Sequence, residues 1–194
     1  MELEENLFTG RVLVIDDDEM TQRLLKSILE NAGNEVALAP RPQDTMDLIE
    51  SFQPDAILLD LVMPEVDGFQ LCKIIRARYS NLPILMITGI HDPDACTKTV
   101  AAGANDYLTK PLQAGNVLIR VKNALQTRHL EMMLEAQRLR SAQVESQLNA
   151  FSSELDECAD HLGVHEAREK AAEFLAEFND QDDDIYTENV EMAS

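Results

Sequence analysis

Five polar side chains in this sequence have the types and the spacing to act together on one ligand. Three are carboxylates, one is a hydroxyl and one is an ammonium, and each stands at or shortly after the end of a short apolar run. They are Asp16, Asp17, Asp60, Thr88 and Lys110. Because ligands of an open parallel sheet bind at the carboxyl ends of the strands, we expect all of these side chains to meet there.

The chemistry expected of this group is phosphoryl transfer supported by a divalent cation. Three carboxylates that face one another repel, and a hard cation with oxygen ligands removes that repulsion. Mg²⁺ meets this description. With the charge neutralised, Asp60 can attack a phosphoryl donor in line, while Lys110 and Thr88 offer an ammonium and a hydroxyl to the phosphoryl oxygens.

The elements that must position these residues alternate between strands and helices. The predicted central strands are residues 12–15, 56–59 and 84–87, and the weaker strands are residues 35–39, closer to an edge, and 106–108. Helical patterns separate them at residues 19–31, 44–52, 69–77 and 94–102, of which the last is the least apolar. This alternation predicts a five-stranded parallel sheet with helices on both faces.

Three glycines are expected to have conformational roles. Gly33 follows the first predicted helix and should end it in the left-handed conformation. Gly68 and Gly103 are expected to serve turns rather than chemistry.

Short motifs at the predicted strand ends resemble those of the response regulator receiver (CheY-like) family. The motifs are Asp16-Asp17, the run DLVMPEVDG that begins at Asp60, Thr88-Gly89, the run AAGANDY that ends at Tyr107, and Lys110-Pro111. Their order and spacing match the family over residues 10–128. The resemblance implies an α/β fold of the (βα)5 type, which is a doubly wound, flavodoxin-like parallel sheet.

The resemblance also implies a role for each residue of the site. Asp60 would be phosphorylated, Tyr107 would swing inward as Thr88 approaches the phosphate, and the Lys110-Pro111 peptide bond would be cis. The surface of the fourth helix, fifth strand and fifth helix would change in response. The implied metal ligands are Asp16, Asp17, Asp60 and the main-chain carbonyl of Val62, and the implied phosphoryl-binding and switch residues are Thr88, Lys110 and Tyr107.

Two apolar residues bear on the lifetime of the phosphorylated state. Val62 and Ile90 lie two residues after Asp60 and Thr88, at positions that border the phosphoryl group in the family. Because neither side chain can orient an attacking water, we expect a long-lived phosphoryl-aspartate.

After Pro111 the sequence is dominated by helix formers, and residues 116–162 contain neither Pro nor Gly. One long helix is predicted there. Its apolar residues recur at heptad spacing, with polar interruptions at Gln137 and Ser141, which predicts a coiled coil and a homodimer. The predicted dimer seam is Leu134, Val144, Leu148, Phe151, Leu155 and Leu162. The alternative is a solvated helix that packs on its own domain.

The predicted organisation has five parts. They are an N-terminal tail (residues 1–9), a receiver domain (10–127), a coiled-coil helix that continues the fifth receiver helix (128–162), a short amphipathic helix (163–179) that could form a hairpin with it, and an acidic, disordered tail (180–194).

Composition limits the classes of partner. The 194 residues include 36 acidic and 16 basic side chains, for a net charge of −20. This charge argues against nucleic-acid binding, which relies on Lys and Arg. No apolar run approaches the ~20 residues that cross a bilayer, and the N-terminus has no secretory pattern. We therefore expect a cytoplasmic protein without membrane insertion, with reduced cysteines.

The predicted function is that of a two-component response regulator. Asp60 would accept a phosphoryl group from a cognate histidine kinase or phosphotransfer protein, and the signal would pass to a downstream protein target through protein contacts and coiled-coil dimerisation. We expect no enzyme activity beyond phosphorylation and dephosphorylation of Asp60 itself. One alternative is a regulatory receiver module of a larger cyclic-dinucleotide or kinase signalling enzyme. A transcription regulator is disfavoured, because no helix-turn-helix pattern or basic face is recognised after the receiver.

Overall fold

The computed structural model describes residues 9–64, 66–89, 95–161 and 171. It divides the chain into two compact units, Met1–Met133 and Leu134–Ser194, and the boundary between them falls within the last helix. The sheet and the five polar side chains introduced above belong to the first unit.

One sheet of five parallel strands forms the centre of the first unit. The strands are β1 (Arg11–Ile15), β2 (Glu35–Ala39), β3 (Ala56–Asp60), β4 (Ile84–Thr88) and β5 (Asp106–Thr109). Their spatial order is β2-β1-β3-β4-β5, so the winding direction reverses between β1 and β3, which is where such sheets bind ligands. The predicted flavodoxin-like sheet is confirmed, including the edge position of β2.

Five helices follow the strands in alternation. They are α1 (Glu19–Asn31), α2 (Thr45–Phe52), α3 (Gly68–Arg78), α4 (Ala95–Ala101) and α5 (Ala114–His161). The bounds of α1 to α4 agree with the sequence prediction to within one residue at each end. A 3₁₀ turn at Pro42–Asp44, which was not predicted, precedes α2. Gly33 and Gly103 have φ angles of 86° and 88°, as expected for left-handed positions.

The helices cover both faces of the sheet with apolar side chains. On one face, Leu25 of α1 and Val121 of α5 pack with residues of the central strands. On the other face, Ile49 of α2 and Ile75 of α3 do the same. Because β3 and β4 are buried at every position, close packing holds their ends in place, and these ends include the site residues Asp60 and Thr88.

A single arginine, Arg76 of α3, joins two loops at the edge of the sheet. Its guanidinium donates hydrogen bonds of 2.6 to 3.2 Å to oxygens of the α3–β4 loop and of the α4–β5 turn. The acceptors are the main-chain oxygens of Tyr79, Ser80, Leu82 and Gly103 and the side-chain oxygen of Asn105. The position of the α3–β4 loop is therefore fixed relative to the start of β5.

The long helix predicted after Pro111 is observed as α5, which is continuous to His161. In the second unit, Leu134 and Leu148 are 49% and 56% exposed, and Val144, Phe151 and Leu155 are partly buried. The coiled coil and the homodimer stay predictions. Leu162 lies outside the described residues, as do residues 1–8 and 180–194 and, apart from Ala171, the amphipathic helix predicted at residues 163–179.

Two further expectations concern the described part of the chain. Cys72, the one cysteine whose side chain the structure describes, is free and buried, as expected of a packing residue. Among the described helices, none combines the length and the apolar character that crossing a membrane requires.

Candidate functional site

Asp60 and Asp16 are buried carboxylates at neighbouring strand ends. Asp60 is the last residue of β3 and is 4% exposed, and Asp16 directly follows β1 and is fully buried. Because β1 and β3 pair in parallel, their carboxyl ends bring the two side chains to the same edge of the sheet. Asp17 lies beside them and is exposed to solvent.

The three aspartates form one acidic cluster, in which a carboxylate oxygen of each lies within 4.8 Å of the others. Burial raises the pKa of Asp16, and the charge of Asp60 adds to the effect. Burial likewise raises the pKa of Asp60, and the negative charge of Asp17 raises it further. Keeping the three carboxylates ionised in the folded chain is therefore electrostatically unfavourable.

Lys110 partly offsets this cost. Its Nζ lies 3.0 Å from Asp60 Oδ1 and 3.3 Å from Asp16 Oδ2. Burial alone would lower the pKa of Lys110, but the hydrogen bond to Asp60 and the charges of both aspartates outweigh burial and raise it. The side chain is thus held as an ammonium between the two buried carboxylates.

Main-chain contacts position Lys110 and Thr88 together. Thr88 ends β4 and is 1% exposed, and its main-chain oxygen accepts the N–H of Lys110 at 2.7 Å. The peptide bond between Lys110 and Pro111 is cis, as the family resemblance implied. The structure therefore brings the predicted hydroxyl and ammonium to the same edge as the carboxylates.

The predicted switch residue Tyr107 lies on β5 and is half-buried. The guanidinium of Arg120 on α5 lies 6.0 Å from the centre of its ring, and Arg120 also forms an ion pair with Asp106. The contact of Arg120 with Tyr107 was not predicted from the sequence, because the pairing depends on how α5 packs beside β5. Tyr107 is therefore held between the sheet and a charged side chain of the last helix.

The loop after Asp60 shows why Gly68 is needed, and the reason differs from the predicted one. Gly68 has no positive φ angle, so a turn conformation does not require it. A Cβ at this position would overlap the main-chain oxygen of Asp60 and would lie 2.8 Å from Leu61 Cα. Gly68 thus permits a close approach of α3 to the end of β3. Val62, which is paired with Asp67 across this loop, is 62% exposed.

Two residues that support Asp16 were not predicted. The N–H of Asp18 donates to Asp16 Oδ1 at 2.8 Å, and the side-chain amide of Gln22 donates to the main-chain oxygen of Asp16. Asp18 also caps α1 by accepting hydrogen bonds from the N–H groups of Met20 and Thr21. An aspartate directly before a helical pattern is a recognisable capping signal. No sequence signal shows that a helical glutamine will contact a strand end.

The donor set of the acidic cluster fits a magnesium ion. Mg²⁺ prefers oxygen ligands and is commonly bound through one or two carboxylates while it keeps several waters. Within the described part of the chain, Lys110 is the one cationic side chain that forms ion pairs with the cluster. Three carboxylates therefore exceed the available positive charge, and exposed Asp17 leaves one side open to water.

Known proteins match the part of the chain that carries this site. Residues 12–122 match the model of the response regulator receiver domain. The response regulator MprA of Mycolicibacterium vanbaalenii is 37% identical over 115 residues, which cover 59% of this chain and 50% of that protein. MprA of Mycobacterium tuberculosis is 35% identical over 130 residues, which cover 67% of this chain and 56% of that protein. The chain therefore spans about half the length of these curated relatives.

Solved structures match the same region. The CheY-like receiver domain protein of Methanospirillum hungatei is 27% identical with a TM-score of 0.60, covering 63% of this chain and 98% of that one. The receiver domain of Francisella response regulator 1452 is 30% identical with a TM-score of 0.58, covering 61% and 98%. NtrX of Brucella abortus is 26% identical with a TM-score of 0.64, covering 69% and 30%.

Proposed function

The chain belongs to the response regulator receiver family, and from this membership we propose that Asp60 accepts a phosphoryl group from the phosphohistidine of a cognate histidine kinase or phosphotransfer protein. The observation that carries the proposal is the setting of Asp60. Its carboxylate is buried at the end of β3, within 4.8 Å of two further carboxylates and 3.0 Å from Lys110 Nζ. A nucleophile, its charge partners and an opening to solvent are thus present at one strand end.

The transfer proposed here is a displacement at phosphorus. An oxygen of Asp60 forms a bond to phosphorus while the bond between phosphorus and the imidazole nitrogen of the donor breaks. The electron pair of the broken bond stays on that nitrogen, so the ring leaves neutral when its other nitrogen carries a proton. Lys110 then binds one phosphoryl oxygen and the hydroxyl of Thr88 binds another. These two contacts stabilise the negative charge on the phosphoryl oxygens during the transfer.

The proposed cofactor is Mg²⁺, with Asp16, Asp17, Asp60 and the main-chain carbonyl of Val62 as ligands. When bound, it neutralises the acidic cluster and the incoming phosphoryl group. Asp16 is suited to hold it because the N–H of Asp18 orients its carboxylate, while the amide of Gln22 holds its main-chain oxygen.

The experiment that tests phosphorylation uses acetyl phosphate as the donor. The full chain incubated with acetyl phosphate and Mg²⁺ is expected to gain the mass of one phosphoryl group. Asp60→Asn should not gain it. Asp47→Asn removes a carboxylate from the exposed side of α2 and should be labelled like the unchanged chain. Labelling of Asp60→Asn at the rate of the unchanged chain would refute the assignment.

The proposed output is a contact between proteins rather than catalysis. We expect phosphorylation to change the surface around Tyr107, and the coiled-coil seam to mediate a homodimer and contacts to a downstream protein. The half-exposed Leu134 and Leu148 support the seam, and the net charge of −20 disfavours a duplex nucleic acid as partner. The chain spans about half the length of its curated relatives, so the activity of the whole protein is itself part of this proposal.

A further inference from the structure

A second concave site lies at the opposite end of the sheet from Asp60. It is a cavity of about 450 Å³, and ligand pockets range from roughly 300 to 1,000 Å³. Its walls are the start of β1, the segment before β3, the α3–β4 loop and residues of α5 from the first unit. A strand of this length spans about 17 Å, so the cavity is separate from the acidic cluster.

Arginines dominate the charge of this cavity. Arg11, Arg78 and Arg128 line it against a single carboxylate, Asp55. The sequence as a whole is acidic, with 36 acidic and 16 basic side chains, whereas the lining of this cavity has more arginines than carboxylates. The Oδ2 of Asp55 accepts the main-chain N–H of Arg11 at 2.8 Å, and among the described residues Asp55 forms no ion pair with any of the three arginines.

Two of these arginines retain capacity for an anion. Arg78 forms an ion pair with Glu50 at 2.6 Å. Neither Arg11 nor Arg128 has an ion-pair partner among the residues that the structure describes. Arg128 donates from one terminal nitrogen to the main-chain oxygen of Asn81 at 3.3 Å, and its Nε is buried without a hydrogen-bond partner. The guanidinium charge of Arg128 thus has no counter-charge among the described residues, and an anion in the cavity would supply one.

The backbone at Gln53 is a second, independent observation. Gln53 ends α2 in the left-handed conformation, with φ of 50°, at a position where glycine is less strained. Its side chain lines the cavity. Residues held in sparsely populated conformations cluster at active sites and ligand-binding segments. The chain thus carries an amide at the rim of the cavity where glycine would fold more easily.

The remaining lining is mainly apolar. It includes Ile49, Pro54, Tyr79, Leu82 and Met132. We propose that this cavity binds a small organic anion, with a phosphate or carboxylate head held by Arg11 and Arg128 and an apolar or aromatic body against these side chains. Guanidinium groups suit either head because their donors match the two oxygens of a carboxylate or phosphate.

The test compares three small probes on the full chain without Mg²⁺. Phenyl phosphate and benzoate combine an anionic head with an aromatic ring, and benzyl alcohol offers the ring without the charge. Binding is followed by amide NMR shifts. We expect saturable shifts at Ile49, Asn81 and Leu82 with at least one anion, in the millimolar range typical of such small ligands, and about tenfold weaker binding of benzyl alcohol. The preferred anion identifies the head group.

Matched variants separate the site from general charge effects. Arg11→Gln and Arg128→Gln should each weaken the preferred anion by about tenfold, the loss expected for one charge-assisted hydrogen bond. Arg23→Gln makes the same charge change on a 79% exposed side chain of α1 and should leave binding unchanged. Gln53→Gly should weaken binding without lowering the melting temperature, because glycine relaxes the backbone.

Three results would overturn the proposal. The first is the absence of saturable shifts at the cavity with both anions. The second is equal binding of benzyl alcohol and the anions. The third is that Arg11→Gln and Arg128→Gln bind like Arg23→Gln, which would mean an adventitious surface contact.

Discussion

Gly68 packs directly against the main-chain oxygen of Asp60. The first residue of α3 therefore touches the residue that we propose to be phosphorylated, and no side chain fits between them. The neighbouring atoms are main-chain atoms of Asp60 and Leu61, which cannot move aside as the end of a flexible side chain could. The start of α3 and the end of β3 are thus in close main-chain contact and leave no room for a larger residue at position 68.

This close contact predicts a strong effect for Gly68→Ala. The added methyl group should lower the free energy of unfolding by about 1–3 kcal/mol, the usual cost of overpacking, and should slow phosphorylation of Asp60. Gly115→Ala is the matched control, because nothing lies within 4 Å of a Cβ there and alanine favours the helix. Urea unfolding and labelling by acetyl phosphate measure both effects. Equal stabilities of the two variants would contradict the close approach.

Magnesium should stabilise the folded chain. A ligand at a hundred times its Kd that binds only the folded state adds about 2.7 kcal/mol to the free energy of unfolding. Asp16→Asn and Asp60→Asn should lose most of this gain, and Asp47→Asn should retain it. Urea unfolding in Mg²⁺ and in EDTA provides the comparison. Without Mg²⁺, Asp60→Asn should be more stable than the unchanged chain, because burial disfavours the charge of Asp60 and raises its pKa in the folded state.

The phosphoryl group on Asp60 should be long-lived. Val62 is 62% exposed beside the site and cannot orient an attacking water. The other residue in this prediction, Ile90, lies outside the described residues. Val62→Asn should speed dephosphorylation by roughly tenfold, less than a full general base contributes. Val100→Asn, at a 69% exposed valine of α4, should have no effect. Rapid dephosphorylation that Val62→Asn does not alter would disprove the idea.

Tyr107 should couple phosphorylation to the surface of α5. Addition of beryllofluoride, a phosphoryl mimic, should change hydrogen exchange of amides in β5 and the first turns of α5. Tyr107→Ala should bind the mimic but lose most of this change, whereas Tyr107→Phe, which keeps the ring near Arg120, should retain it. Unchanged exchange differences in Tyr107→Ala would show that the signal leaves the site by another route.

The coiled-coil seam can be tested by two leucines of the same helix. Leu148 belongs to the predicted seam and is 56% exposed, whereas Leu139 is 64% exposed and lies outside it. Leu148→Lys should weaken a homodimer by at least about tenfold, since a buried apolar contact becomes an unpaired charge. Leu139→Lys should not. Molar mass in solution, with and without beryllofluoride, is the measurement, and equal effects of both variants would refute the seam.

The sheet was predictable because its signals are local. The apolar runs at residues 12–15, 56–59 and 84–87 predicted the central strands, and the carboxylates after two of them indicated which strand ends carry the site. The hydrogen bond from Gln22 to Asp16 and the contact of Arg120 with Tyr107 were not predictable in this way. Each contact joins residues on two different elements, and no repeating pattern in the sequence indicates how those elements pack together.

Gly68 and the arginine-lined cavity illustrate the same limit. A glycine in a loop motif indicates a turn, but the structure shows a close approach between two elements, which only the assembled fold reveals. Arg11, Arg78 and Arg128 are far apart in the sequence and show no motif. They meet because the start of β1, the end of α3 and α5 converge at one end of the sheet.

The hydrogen bonds of Arg76 bear on how the fold responds to ionic strength. All of its acceptors are uncharged oxygens, so counterions have less to screen here than in an exposed ion pair. A chain with a net charge of −20 repels itself least when salt is high and most when salt is low. Arg76 therefore holds the α3–β4 loop by contacts that salt weakens less than it weakens an exposed ion pair, and the spacing between the loop and β5 should change little from dilute buffer to concentrated salt.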